Sequence, residues 1–117
     1  MTSAFLRRVN KTLRAVIADE VAHLKDPGLG FITITAVDTA PDLRNARVYY
    51  SVLGDGEQAQ ATAHALERAK PHVRSQVGRR VRLKYLPDLR FEADRAIEHG
   101  MRIEQLLAQI HEQEETG

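Results

Sequence analysis

The hydrophobic period of this chain switches from about 3.6 to 2 and back, and that alternation limits the folds open to it. Across residues 4 to 25, Phe5, Val9, Leu13, Val16, Ile17, Val21 and Leu24 recur at three- and four-residue steps. This is the pattern of an amphipathic helix, with Thr2 or Ser3 as its cap. Arg7, Lys11, Arg14 and Lys25 fall on the opposite face, while Glu20 projects toward the apolar one, where nothing local accounts for it. Asp26-Pro27-Gly28 should end the helix, because proline disfavours a helical residue before it and glycine permits the turn.

From Phe31 to Thr39 the period falls to two, with Ile32, Ile34 and Ala36 on one side and Thr33 and Thr35 on the other. Ala46, Val48, Tyr50 and Val52 then alternate with Arg47, Tyr49 and Ser51, so residues 40–45 should join an antiparallel pair. Helical spacing returns with Ala59, Ala63, Leu66 and Ala69 and resumes beyond Pro71 at Val73 and Val77. Two helical pieces meeting at a kink over Ala69, Lys70 and Pro71, the second closed by Gly78, follow from the missing proline N–H. A third strand is expected from Val81 through Leu83 and Tyr85, passing Pro87 at an edge or bulge and continuing over Leu89 to Ala93. Ile97, Met101, Ile103, Leu106, Leu107 and Ile110 mark a C-terminal helix.

Helix, strand, strand, bent helix, strand, helix is the order of an α+β fold with a three-stranded sheet covered on one face. With 117 residues there is room for one domain, read here as 1–110 ahead of an acidic tail at 111–117 that should fray.

Several chemistries drop out on residue type and spacing. Without cysteine there is no disulfide, thiolate nucleophile or cysteine-based zinc site. The five histidines share no HExxH-like spacing, so no metal site is expected. Gly28-Leu29-Gly30 follows a helix and precedes a strand, the reverse of a nucleotide-binding loop, and reads as a turn. Asp88, Glu92 and Asp94 alternate with Arg90 as the solvated side of a strand does, which outweighs a magnesium-binding reading. No serine has a G-x-S-x-G setting. These readings leave no catalytic residue, no cofactor and no enzyme. No window approaches the roughly 20 apolar residues of a membrane span, and the N-terminus lacks a signal-type stretch, so a cytoplasmic protein without membrane contact is expected.

The net charge of +1 conceals an uneven distribution. Arg68, Lys70, Arg74, Arg79, Arg80, Arg82 and Lys84 come without an intervening acid. Spaced cations of this kind suit backbone phosphates, which gain from counterion release. Lys70, Arg74, Arg79, Arg80, Arg82 and Lys84, extended by the Arg7, Lys11 and Arg14 face, are the candidate RNA-binding residues. With three Phe, three Tyr and no Trp, an aromatic-rich base-stacking surface is not expected, and no RNP-type motif supports an RRM. Two other classes stay open: a generic single-stranded RNA-binding module, and a protein-interaction domain that pairs through its sheet face or C-terminal helix.

Taken in order, several segments resemble the bacterial ribosome-binding factor A family across almost the whole chain. They are Lys25-Asp26-Pro27-Gly28-Leu29-Gly30, Ile32-Thr33-Ile34-Thr35-Ala36-Val37, the hairpin from Asp42 to Ser51, Ala65-Leu66-Glu67-Arg68-Ala69, Pro87-Asp88-Leu89-Arg90-Phe91 and Gly100-Met101-Arg102-Ile103. The resemblance implies a type II KH-like domain, αββααβ with a kinked helix pair. It also implies binding to the immature small ribosomal subunit and its rRNA near the 5′ end, in support of late maturation, rRNA processing and growth at low temperature. It implies no enzymatic activity, a ribosome-associated GTPase as releasing partner, and action as a monomer. One departure stands out. The family carries an Ala-x-Gly kink where this chain has Ala69-Lys70-Pro71, so a proline ring replaces glycine's permissiveness.

Overall fold

The computed structural model describes residues 3–94. The expected C-terminal helix and the acidic tail lie outside the described residues. Five elements follow one another: α1 (Ala4–Ala22), β1 (Ile32–Thr39), β2 (Asn45–Val52), α2 (Gly56–Arg80) and β3 (Asp88–Ala93). The sheet order is β1-β2-β3, with β1 and β2 antiparallel and β2 and β3 parallel. A parallel pair needs a long crossover, and α2 supplies it.

Ser3 caps α1, its hydroxyl accepting from the Leu6 N–H at 3.1 Å. Val9, Leu13, Ile17 and Val21 form its buried stripe, whereas Phe5, expected in the core, is about half exposed. In β2 the alternation holds as read: Ala46, Val48 and Tyr50 are buried while Asn45 and Arg47 face solvent. β1 departs from it. The register shifts between Ile34 and Ala36, leaving Thr35 as the extra residue of a bulge. Past the bulge the inward side changes, so Ala36 is exposed and Val37 and Thr39 are buried. The Thr35 hydroxyl donates to Asp94 Oδ2 at 2.6 Å across the intervening strand.

The second helix corrects two expectations. It runs without interruption from Gly56 to Arg80 with Pro71 inside it, so the two helical pieces expected at Ala69-Lys70-Pro71 are one element. Gly78 does not close it; Val81 is its C-cap. Pro71 and Glu67 are both exposed, so the Glu67 carbonyl that loses its N–H partner lies on the solvent side of the helix, where the loss costs least. The buried stripe runs through Thr62, Ala65, Leu66, Val73 and Val77. The third strand is shorter than read. Residues 81–87 form an irregular connection, and β3 begins only after Pro87, on the sheet edge that a proline tolerates.

Both helices lie on the face of the sheet that carries Ile34, Val37, Val48, Tyr50 and Leu89, giving one continuous core with Leu13, Ile17, Leu66, Val73 and Val77 at its centre. The other face presents Asp38, Arg47, Arg90 and Glu92 to solvent.

The turn after α1 docks on the first half of α2. Asp26 accepts from the Gly28 N–H at 2.8 Å and holds the Arg68 guanidinium at 3.0 Å. Gln58 bridges the Gly28 carbonyl and the Thr62 hydroxyl, which accepts in turn from the Gly30 N–H. A Cβ on Gly30 would sit 2.7 Å from the Gln58 amide nitrogen, so any larger residue there displaces the Gln58 side chain from its bridge.

Candidate nucleic-acid interface

The basic run divides once it is folded. Arg68 is committed to Asp26. Lys70 pairs with Glu67 one turn back at 2.8 Å. Arg74 donates to the backbone carbonyls of Leu86 at 2.9 Å and Pro87 at 3.1 Å, and lies 3.5 Å from Asp88, which ties the irregular connection to α2. Arg80 reaches across to α1, donating to Asp19 Oδ2 at 2.7 Å and Glu20 Oε1 at 2.9 Å. That contact explains why Glu20, only 15% exposed, turns toward the core side of its helix. The hydrogen bonds that Arg80 donates to Glu20 and Asp19 raise its pKa above the ordinary value. Four of the seven cations are therefore structural ties.

Arg79, Arg82 and Lys84 have no ion pair among the described residues and are exposed. They cover the last turn of α2 and the connection that follows, where cations also suit the negative end of the helix dipole. Arg7, Lys11 and Arg14 are exposed on α1, and no described interaction links them to this end of α2.

Folding adds Arg44 and Tyr85, which stand outside the candidate RNA-binding set read from the sequence. The loop between β1 and β2 turns on Leu43, whose φ of +64° is rare for a residue with a Cβ. That conformation buries the Leu43 side chain and sends Arg44 outward. The Arg44 carbonyl accepts from the Asp88 N–H at 2.9 Å, tying the hairpin loop to the start of β3. Its guanidinium lies over the Tyr85 ring, 5.0 Å from the centroid, and the Lys84 ammonium lies 5.5 Å from the same centroid. Arg44, Asn45, Arg74, Tyr85, Leu86 and Asp88 line a shallow concavity there. The one available signal was the position of Arg44 in a tight loop; nothing in the spacing placed that loop beside residue 85.

A larger concavity of about 550 Å³ lies at the far end of the sheet, between Phe31, Tyr50, Leu53, Ala59 and Ala63. Among the described residues its lining has no Lys or Arg to meet a phosphate. The carboxylates Asp88, Glu92 and Asp94 are separated by their partners, Arg74, Arg47 and Thr35 respectively. No cluster of three metal-ligating side chains occurs among the described residues. No helix among them is long and apolar enough to cross a membrane.

A mixed three-stranded sheet backed by two helices, with a cationic connection after the second, defines a KH-like α+β domain. The family model described as Ribosome-binding factor A matches residues 6–107. The chain belongs to the ribosome-binding factor A family. It is 48% identical over 109 residues to ribosome-binding factor A of Desulfitobacterium hafniense, a match that covers 92% of this chain and 87% of that one. It is 47% identical over 90 residues to the Geobacter sulfurreducens protein of the same name, covering 77% and 76%.

Solved structures agree. The crystal structure of ribosome-binding factor A from Thermus thermophilus superposes with a TM-score of 0.69 at 28% identity, over 75% of this chain and 94% of that one. A Thermus thermophilus homology model fitted into the cryo-EM map of a 30S complex gives 0.61 at 34% identity, over 74% and 91%.

Proposed function

We propose that this chain binds the immature small ribosomal subunit through its rRNA and assists late maturation and rRNA processing by binding alone. The observation that carries the reading is the set of three exposed cations without a described ion pair, Arg79, Arg82 and Lys84, on the last turn of α2 and the connection after it, where Lys84 and Arg44 meet over the Tyr85 ring. A cation already held by a carboxylate has little to gain from a phosphate, whereas a solvated one releases counterions when it meets one. The relative seen in a 30S complex supports the same partner. In this reading Lys70, Arg74 and Arg80 shape the surface, while Arg7, Lys11 and Arg14 extend the footprint along α1. The protein acts in the cytoplasm as a monomer, and a ribosome-associated GTPase releases it.

Sucrose-gradient sedimentation of cell extract tests the proposal. The protein should travel with free and immature small subunits and leave them as salt is raised. Equal distribution over all particles, or a complex indifferent to salt, would overturn it and favour a protein-interaction role.

A further inference from the structure

The aromatic residue within the cationic cluster points to more than phosphate attraction. Of the four large apolar side chains exposed among the described residues, Phe5, Phe31, Leu53 and Tyr85, only Tyr85 has cations over its ring. It is 41% exposed, enough to offer a stacking surface while its backbone stays anchored between α2 and β3. The anchoring is extensive. Arg74 holds the two carbonyls that follow Tyr85, and the Asp88 N–H holds the hairpin loop against the same connection. The rare left-handed backbone at Leu43 is what carries Arg44 to the ring. Strain of this kind persists only where the surroundings enforce it, and it gathers at ligand sites.

We propose that Arg44, Lys84 and Tyr85 form a subsite for one unpaired RNA nucleotide, with Asn45 on its wall. The inference rests on the RNA-binding reading above and gives it a preference for single-stranded over duplex RNA. In the free protein the two cations cover the ring. When RNA arrives, they turn to the phosphates flanking the nucleotide and uncover the ring for its base. The exchange is favourable, because a cation over an exposed aromatic ring contributes less than a stacked base does, and each cation gains a phosphate. Asn45 carries both a donor and acceptors, which suits the edge of a base held in that position. A duplex keeps its bases stacked inside and cannot use the ring.

The test is binding of the full chain to a short unstructured RNA that carries 2-aminopurine, compared with the same RNA annealed to its complement. The parent should quench the fluorophore and prefer the single strand. Tyr85→Phe should retain both properties. Tyr85→Ala should weaken single-strand binding roughly ten- to a hundredfold, with little change in the salt slope. Arg44→Ala and Lys84→Ala should each lower that slope by somewhat less than 1. Absence of quenching by the parent, equal affinity for strand and duplex, or a folded Tyr85→Ala protein that binds as the parent does would each overturn the subsite. Quenching and strand preference are read on the parent, so they decide the matter even if Tyr85→Ala fails to fold. If only the subsite fails, Arg79→Glu with Arg82→Glu still strips the protein from small subunits; if that pair is also silent, the basic-surface reading falls with it.

Discussion

Replacing Arg80 with glutamate would set a third carboxylate against Asp19 and Glu20, at the one point where the end of α2 is pinned to α1 by charge. The expected outcome is a melting temperature lower by several degrees, visible by circular dichroism. The adjacent Arg79→Glu, with no described partner to lose, should leave melting unchanged and weaken particle binding. A second residue-scale prediction concerns pH. The hydrogen bond from the Gly28 N–H, followed by Arg68, holds the Asp26 carboxyl below its ordinary pKa. A depressed carboxylate pKa contributes stability that is present above the unfolded value of about 3.9 and lost as pH falls through the folded one. Asp26→Asn should therefore melt earlier than the parent at neutral pH, and the gap should close on acidification below about pH 4. A gap that stays constant from neutral pH to well below that value would show that the charge of Asp26 adds nothing beyond its hydrogen bond.

The instructive element is α2. A proline sixteen positions into a helix of 25 residues suggests a bend that aims whatever follows it. The folded helix has other means of aiming its end. Val73 and Val77 are fully buried, Arg74 grips the Leu86 and Pro87 carbonyls, and Arg80 grips α1. Pro71→Ala should regain one backbone bond and stabilise the protein by about 2 kcal/mol, less the entropy proline removes from the unfolded chain. With those anchors in place, small-subunit affinity should change by less than about threefold. Higher thermal stability combined with a large loss of binding would instead show that the proline itself orients the basic end.

At the scale of the described fold, Arg68 and Arg80 meet acids where elements join, while Arg79, Arg82 and Lys84 stay without a described ion pair where the chain leaves α2. Reversing Arg79, Arg82 and Lys84 together should abolish association with small subunits at physiological salt while leaving the far-ultraviolet spectrum intact. If residual binding is measurable at low salt, the slope of log affinity against log salt should fall by about 2, the share of three lost phosphate contacts on single-stranded RNA. An unchanged slope would place the RNA elsewhere, and the Arg7, Lys11 and Arg14 face of α1 would be the next to reverse.

What could be read from the linear chain was whatever repeats at a fixed interval. Leu13, Ile17 and Val21 declared α1, and Ala46, Val48 and Tyr50 declared β2, because their neighbours along an element lie at constant angles. Family membership was legible for a related reason, since many short segments kept order and spacing. Irregular geometry was not. The bulge at Thr35 inverted the facing of β1 beyond it, and residues 81–87 alternate like a strand without pairing as one. The candidate site was least legible of all. Whether an arginine is a tie or a free cation depends on an acid brought close from another element: 42 positions away for Arg68 and 61 for Arg80. The meeting of Arg44 with Tyr85 depends likewise on a hairpin loop and a crossover ending side by side. Sequence determined the elements, because helix and strand are local. Tertiary structure decided the charges, because a Coulombic partner is chosen by distance in space.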